Sequence, residues 1–340
     1  MGVTRSSLPR SVLGAGAPVP WWRNRRVIPW LVQGAVGLTV LVLVAFLLSN
    51  LIRNLTAAGL LLSWGWLSQP AGFDIAETIL PFQASDPYWR GLLAGLVNTL
   101  RVVVTGLLGA TLLGTLLGMA SFSGNVLLRN LTRVYVEVVR NIPLLLQLVF
   151  WYFVVFLSLP NGTAAIQLPG VVLAKSGLYI AGFAEGLRWM GPQLVNGVWQ
   201  APLRWSVEFG ALLTGLIAYS SAFIAEVVRG GIAAVPKGQW EAASSLGLSW
   251  IQTLRQVVLP QALRVIVPGL NTQYISLAKN SSLAVAVGFS DLYSVAETTL
   301  NQTGRAVEVV LVLLGTYLAL DLFISLLMNG LNRLVQIRER

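Results

Sequence analysis

The 340-residue sequence contains no cysteine and no histidine. The first absence excludes a disulfide framework, thiolate metal sites and a thiol nucleophile. The second removes the commonest general base, the commonest metal ligand and any serine–histidine triad. Charge is scarce too: 11% of residues are charged, against roughly 25% in soluble domains. No G-x-x-x-x-G-K-[ST] loop is present to cradle a nucleotide's phosphates. What remains is apolar, with 55% hydrophobic residues and a mean hydropathy of +0.72. These proportions describe an integral membrane protein, expected to be all-α, and give no sign of an enzyme. The net charge of +10 is read as Lys and Arg gathered on the cytoplasmic side of a bilayer, not as nucleic-acid binding. No cleavable signal peptide is expected, because the first apolar run is too long for one.

About six transmembrane helices are expected. Residues 1–27 form a basic tail with Arg5, Arg10, Arg23, Arg25 and Arg26, ending in Trp21-Trp22 as an interfacial anchor. An N-terminal span over 28–48 has close to the ~20 residues a bilayer needs. Residues 49–90 form an extracytoplasmic or interfacial segment, where Trp64 and Trp66 suggest a helix lying in the interface. The second span, about 92–119, carries Gly114-x-x-x-Gly118, a spacing suited to close helix contact in lipid. The third starts at 134 or 142 and ends near 159, with a kink or late start at Pro143. An extracytoplasmic insertion, 160–206, includes Glu185, Arg188 and an apolar patch at 171–183. Lys175 inside that patch argues for a re-entrant or interfacial helix instead of a full span. The remaining spans are expected at 207–228, at 261–287 with interruptions at Pro268-Gly269 and Lys279–Ser282, and at 307–327. Residues 331–340 close the chain as a second basic tail with Arg333, Arg338 and Arg340. With the N-terminus inside, fifteen basic residues fall on the cytoplasmic side and six on the other. Both termini are therefore expected in the cytoplasm.

One stretch, 235–260, is written for water. It mixes Lys237, Glu241 and Arg255 with small residues between two apolar spans. Two short helices are expected. The first, 239–246, ends at Gly247 as a left-handed C-terminal residue. The second starts from a Ser249-x-x-Gln252 capping box. Pro260 then suits the first turn of the next long helix, where its missing N–H is harmless. A polar elbow projecting from a membrane bundle needs a partner. Ala242, Ala243, Ser244 and Ser245 offer a small-residue face that another protein could approach closely.

The spacing Glu241-Ala242-Ala243, three residues, Gly247, nine residues, Val257-Val258-Leu259-Pro260 resembles the EAA signature of ABC-importer permeases, E-A-A-x3-G-x9-I-x-L-P, with Val257 in place of the isoleucine. Tyr135–Gln147, Ser221–Ile232, Asn98-Thr99-Leu100 and Lys279–Leu283 resemble segments of polar-amino-acid permeases. The resemblance covers about 90–330. The extra first span and the insertion look most like the general L-amino-acid branch. It implies a five-helix type I permease core over 91–330 plus the extra N-terminal helix, in a bacterial inner membrane. It also implies partners: ABC ATPase subunits, a second permease subunit as a paralogous heterodimer, and an extracytoplasmic amino-acid-binding protein. No cofactor belongs to this chain, and ATP is used by the partner ATPase.

In such a transporter the elbow carries force. Its first helix would seat in a groove of the ATPase. Glu241 would be a polar contact, Ala242 and Ala243 would permit close approach, and Gly247 would set the angle between the helices before Pro260. Four residues are candidates for the substrate path: Glu226, Asn280, Ser281 and Ser282. Glu226 and Arg229 share a helix face and serve either as an ion pair or as a gate. Lys279-Asn280-Ser281-Ser282 either lines a cavity for an amino acid's two charged groups or is polar glue between helices. Asp321, inside the last span, is read as an internal partner and not as a ligand. The alternative function is a secondary transporter running on an ion gradient. That class favours inverted repeats, which the sequence does not display, and it leaves the elbow unexplained. The Asn-x-Thr triplets at 54, 130 and 301 are read as chance matches to a glycosylation pattern.

Overall fold

Apolar helices dominate the computed structural model, which describes residues 28–57, 59, 62–184 and 188–336. The expected basic tail at 1–27, Glu185, Arg338 and Arg340 lie outside them. The chain forms two units, 1–63 and 64–340. The first contains one described helix, α1 (Ile28–Ala57), longer than the expected span. It is apolar around its whole circumference, as suits a lipid-immersed helix.

The second unit opens with one 3₁₀ turn at Gly65–Ser68. The expected interfacial helix at Trp64 and Trp66 is absent. Trp66 is instead buried, edge-on to Tyr88. Helix α2 (Tyr88–Ala120) follows. Next comes α3 (Val126–Asn141), started by the Asn125 side chain, which accepts from the Leu127 and Leu128 amides at 2.9 and 3.3 Å. After a break at Ile142-Pro143, α4 (Leu144–Val149) runs on as a wide π-helical turn, Phe150–Phe156. The two parts meet at 106°. Of the two starts expected for the third span, the later one holds, with the apolar segment beginning at Leu144. Pro143 does more than kink it, because α3 is an amphipathic helix that turns almost at right angles to the apolar segment.

The insertion is the main departure from expectation. The patch at 171–183 is β-structure. Strands β1 (Ile166–Leu168), β2 (Val171–Ala174), β3 (Gly177–Ile180) and β8 (Leu203–Trp205) form an antiparallel sheet in the order β1-β2-β3-β8. Hairpins β4 (Gly182–Ala184)–β5 (Arg188–Met190) and β6 (Gln193–Val195)–β7 (Val198–Gln200) lie between β3 and β8. Residues alternate between buried and half-buried along β2 and β3. That period-2 pattern in a run rich in Val, Tyr and Ile is the signature of a strand. Lys175 falls in the turn between the two strands, so its charge needs no helix face. Tyr179, Val172 and Trp199 form a small core, and the Trp199 indole donates to the Gly162 carbonyl at 2.8 Å.

Six more helices follow among the described residues: α5 (Val207–Ala233), α6 (Lys237–Ser245), α7 (Trp250–Thr253), α8 (Leu259–Asn280), α9 (Leu292–Thr303) and α10 (Ala306–Val335). The spans left no place for α9. Pro268-Gly269 does not interrupt α8. A methyl group placed on Gly269 would lie 2.7 Å from Val227 Cγ1, so this glycine serves contact with α5. After Asn280 the chain tightens into a 3₁₀ turn, Ser281–Val287. Among the described residues four helices (α1, α2, α5 and α10) are long and apolar enough to cross a membrane, and the bent α3–α4 pair makes a fifth. The one remaining expected span, the fifth at 261–287, corresponds to α8. Its 22 residues reach about 33 Å, but Gln261, Arg264, Asn271, Gln273 and Lys279 dilute its apolar character.

Helices α2 and α5 pack closely through glycine. A methyl group on Gly114 would lie 2.6 Å from Ile224 Cγ2, and one on Gly118 would lie 2.6 Å from Val228 Cβ. The expected Gly-x-x-x-Gly contact is therefore made within this chain. At the end of the bundle away from α6, Glu77 ties three elements together. It pairs with Arg101 of α2 and accepts from the Ser206 amide, at the start of α5, at 3.1 Å. Its carbonyl accepts from Asn98 Nδ2 at 2.7 Å. The Arg101 guanidinium stacks 3.8 Å from the Phe209 ring centre.

Candidate functional site

The elbow is built as its chemistry dictates. Helix α6 starts two residues earlier than expected, after Pro236, and ends in a Schellman motif. The Leu248 amide bonds the Ala243 carbonyl at 3.2 Å and the Gly247 amide bonds Ser244 at 3.0 Å. This closure requires a left-handed residue, and Gly247 has φ +74°. Ser249 and Gln252 form the expected capping box, with bonds of 2.9 and 3.4 Å. The second elbow helix is not separate, however. Helix α7 passes through a wide π turn, Leu254–Val258, straight into α8. Pro260 sits in the first turn of α8 as expected.

The elbow is fixed to the bundle behind it. Val235, Leu254 and Val258 are buried in one cluster with Val228 and Ile232 of α5 and with Ala262 and Ile266 of α8. Gln261 Nε2 donates to Gln239 Oε1 at 3.2 Å, joining α6 to α8 directly. A force on α6 would therefore reach both α5 and α8 without passing through a flexible joint.

Of the expected contact residues, Glu241, Ala242 and Gly247 are exposed, but Ala243 is 2% exposed. This removes Ala243 from the expected small-residue face, while Ala242, Ser244 and Ser245 stay exposed. The size of Ala243 serves the elbow's own packing, and the residue is closed to a partner. The exposed surface also carries Leu246, Trp250 and Ile251, of which Leu246 is 80% exposed. Sequence reasoning passed over them because apolar residues inside a membrane protein attract no notice. Their signal was their position beside Gly247 in a polar stretch.

The other candidates are not brought to the elbow. Glu226 lies on α5 and pairs with Arg229 through both carboxylate oxygens, one bond measuring 2.9 Å. Ser281 and Ser282 donate to the Ala278 and Lys279 carbonyls at 2.8 and 2.7 Å, so their hydroxyls are engaged by their own helix. Asn280 is half-buried. Asp321 meets Lys279 at 3.3 Å, the internal pairing expected of it. Asn280 stands twenty residues beyond Pro260, roughly 30 Å along α8.

A buried polar joint near Asn280 was not foreseen as a site. Asp291 caps α9 by accepting from the Ser294 amide at 2.9 Å, and Tyr317 Oη donates to its other oxygen at 3.4 Å. Thr99 accepts from the Leu292 amide at 3.0 Å, and Asn98 donates to the Ser290 carbonyl at 2.8 Å. Asn98, Thr99 and Asp291 are fully buried. Burial pushes the Asp291 carboxyl up to about 7.

A helical bundle with an elbow projecting between α5 and α8 suits a transport permease. Residues 110–337 match the family described as binding-protein-dependent transport system inner membrane component. The chain belongs to this family, whose members work with an ATPase and a binding protein and are not enzymes. It is 39% identical over 378 aligned residues to the putative amino-acid ABC transporter permease protein YhdX of Escherichia coli K12, covering 93% of this chain and 96% of that one. It is 38% identical over 370 residues to the general L-amino acid transport system permease protein AapQ of Rhizobium johnstonii, covering 89% and 92%. Among solved structures, an amino acid ABC transporter crystallised with histidines superposes with a TM-score of 0.54 at 26% identity, over 72% of this chain and 94% of that chain. The inward-facing MetNI methionine ABC transporter shares the fold, with a TM-score of 0.52 at 20% identity over 73% and 97%.

Proposed function

We propose that this chain is the membrane-spanning permease subunit of an ATP-driven importer of amino acids, and that the elbow is where a separate ATPase engages it. The observation that carries the reading is an exposed, apolar-tipped elbow welded to α5 and α8. Leu246 and Ile251 would enter a groove of the ATPase, with Glu241 as a polar contact beside them and Ala242 permitting close approach. Closure of an ATPase pair would then push α6, and the Gln239–Gln261 bond and the shared core would pass that push to two spans at once. Amino acids as cargo are supported by the relatives above and by the resemblance of the segments around Asn98, Pro143 and Glu226. The elbow and both termini face the cytoplasm in this reading, supported by the excess of basic residues on that side. A second, paralogous permease subunit completes the pore.

The test is Gly247→Asp. An aspartate pays a penalty at positive φ that glycine does not, so the angle after α6 changes while the spans remain. The variant is expected to insert in the membrane and to lose ATP-dependent uptake in vesicles supplied with the ATPase and the binding protein. Normal uptake with normal ATPase binding would refute the coupling role. Uptake driven by an ion gradient alone, without ATP, would instead establish a secondary transporter.

A further inference from the structure

A cavity of about 400 Å³ lies between the ends of α2 and α5 nearest the elbow and helix α3. Arg129, Arg133, Glu137 and Arg140 line it from α3, and Glu226 and Arg229 line it from α5. Four arginines against two glutamates leave it two charges positive. The coupling function uses none of these groups. Arg229 is held by Glu226, Arg140 stacks 5.1 Å from the Phe223 ring centre, and Arg129 donates to the Ser123 carbonyl at 3.2 Å. The Arg133 guanidinium and the Glu137 carboxylate have no ion pair or hydrogen bond among the described residues.

The helix that carries these arginines has two unlike faces. Positions 129, 133 and 140 fall on one side of α3, and 127, 131, 134 and 138 fall on the other. Leu127, Leu131, Val134 and Val138 are all more than half exposed. Thr132 and Val136, on the arginine side, are buried and line the same cavity. A helix with a basic face and an opposite apolar face, turned 106° from the apolar segment after it, suits the boundary between headgroups and acyl chains.

We infer that this cavity binds the phosphate of an anionic phospholipid. The shared chemistry is a phosphate oxyanion on arginine, which offers forked N–H donors. The bilayer is the source to which the features point. The apolar face of α3 sets the arginines at headgroup depth, and Leu117, Phe122 and Val136 give the cavity apolar walls suited to the glycerol and first methylenes. Cytoplasmic leaflets carry anionic lipids, and basic pockets between membrane helices on that side take their headgroups. The leaflet assignment rests on the orientation proposed above.

The test is native mass spectrometry of the full chain purified in detergent with added phosphatidylglycerol or phosphatidylcholine. It does not depend on orientation or on an ATPase, so its failure leaves the coupling reading intact. The wild type is expected to retain phosphatidylglycerol and not phosphatidylcholine. Arg129→Ala with Arg133→Ala should lower retention, roughly fivefold for each arginine removed. Glu137→Gln removes an opposing charge without enlarging the site and should raise retention. Equal retention of both lipids, no change in the double variant, or a fall with Glu137→Gln would overturn the proposal. Full displacement by millimolar inorganic phosphate would assign the site to a soluble anion instead.

Discussion

The contact between α2 and α5 makes the sharpest demand on the sequence, and it can be tested with single methyl groups. Alanine at Gly114 would put Cβ 2.6–2.8 Å from Ile224 Cγ2, Ile224 Cβ and the Ser221 carbonyl oxygen. At Gly118 it would meet Val228 Cβ, Val228 Cγ1 and the Ala225 carbonyl oxygen at the same range. Comfortable carbon contacts lie near 3.5–4.0 Å. Backbone and Cβ atoms cannot swing aside, so the helices must part by about 1 Å. Overpacking of this kind costs about 1–3 kcal/mol, offset by up to ~1 kcal/mol from alanine's better helix propensity. One separation relieves both clashes, because the two sites lie one turn apart on the same face. The double variant should therefore cost less than the sum of the singles, with a coupling on the order of 0.5–3 kcal/mol. Gly230→Ala, on α5 with nothing within 4 Å of the added group, should be neutral or slightly stabilising. Titration of purified protein from mild detergent into SDS, with unfolding followed by circular dichroism, would measure all four. If Gly114→Ala unfolds like Gly230→Ala, or if the two costs add fully, the close-contact reasoning fails.

Further outcomes follow from the polar joints and the elbow. Arg101→Ala leaves Glu77, which is 21% exposed, without its cation, and should destabilise the chain by about 3 kcal/mol, the low end for breaking a buried pair. A gentler loss in Arg101→Lys would confirm charge as the main factor. Asp291 holds its proton more tightly folded than unfolded, so stability should fall as pH rises from its ordinary value of 3.8 to about 7 and change little above that. Asp291→Asn keeps the cap and should flatten that slope in thermal melts from pH 5 to 8. Ser281→Ala and Ser282→Ala should leave apparent uptake affinity unchanged, since both hydroxyls are engaged by their own helix; a tenfold loss would return them to the substrate path. Because the chain has no native cysteine, Ser244→Cys gives a single thiol, which a membrane-impermeant maleimide should reach only from the cytoplasmic side. Labelling of intact spheroplasts from outside would reverse the topology.

Much of the elbow could be read in advance because its signals are local. A capping box needs only Ser249 and Gln252 three residues apart, and a Schellman end needs only a glycine at the right place. The insertion was missed for the opposite reason. Lys175 suggests a charge on a helix face, whereas the alternation of Val172 and Ala174, then Gly177 and Tyr179, is the signal of two strands with a turn between them. Ala243 shows a different gap. Its small size is visible in the sequence, but which neighbour needs it small depends on how α6 folds back on α8.

The sequence by itself determined the membrane class, most of the spans, the elbow and its left-handed hinge. Lipid admits helices that satisfy their own backbone groups, and caps and turns depend on neighbours a few residues away. Tertiary structure alone decided what those pieces do together. It paired α2 with α5 through Gly114 and Gly118, turned α3 across its neighbours, joined Gln239 to Gln261 and buried Asp291 beside Thr99. These are contacts between residues far apart in the chain, and no local pattern of apolar and polar positions specifies which distant surface a helix face will meet.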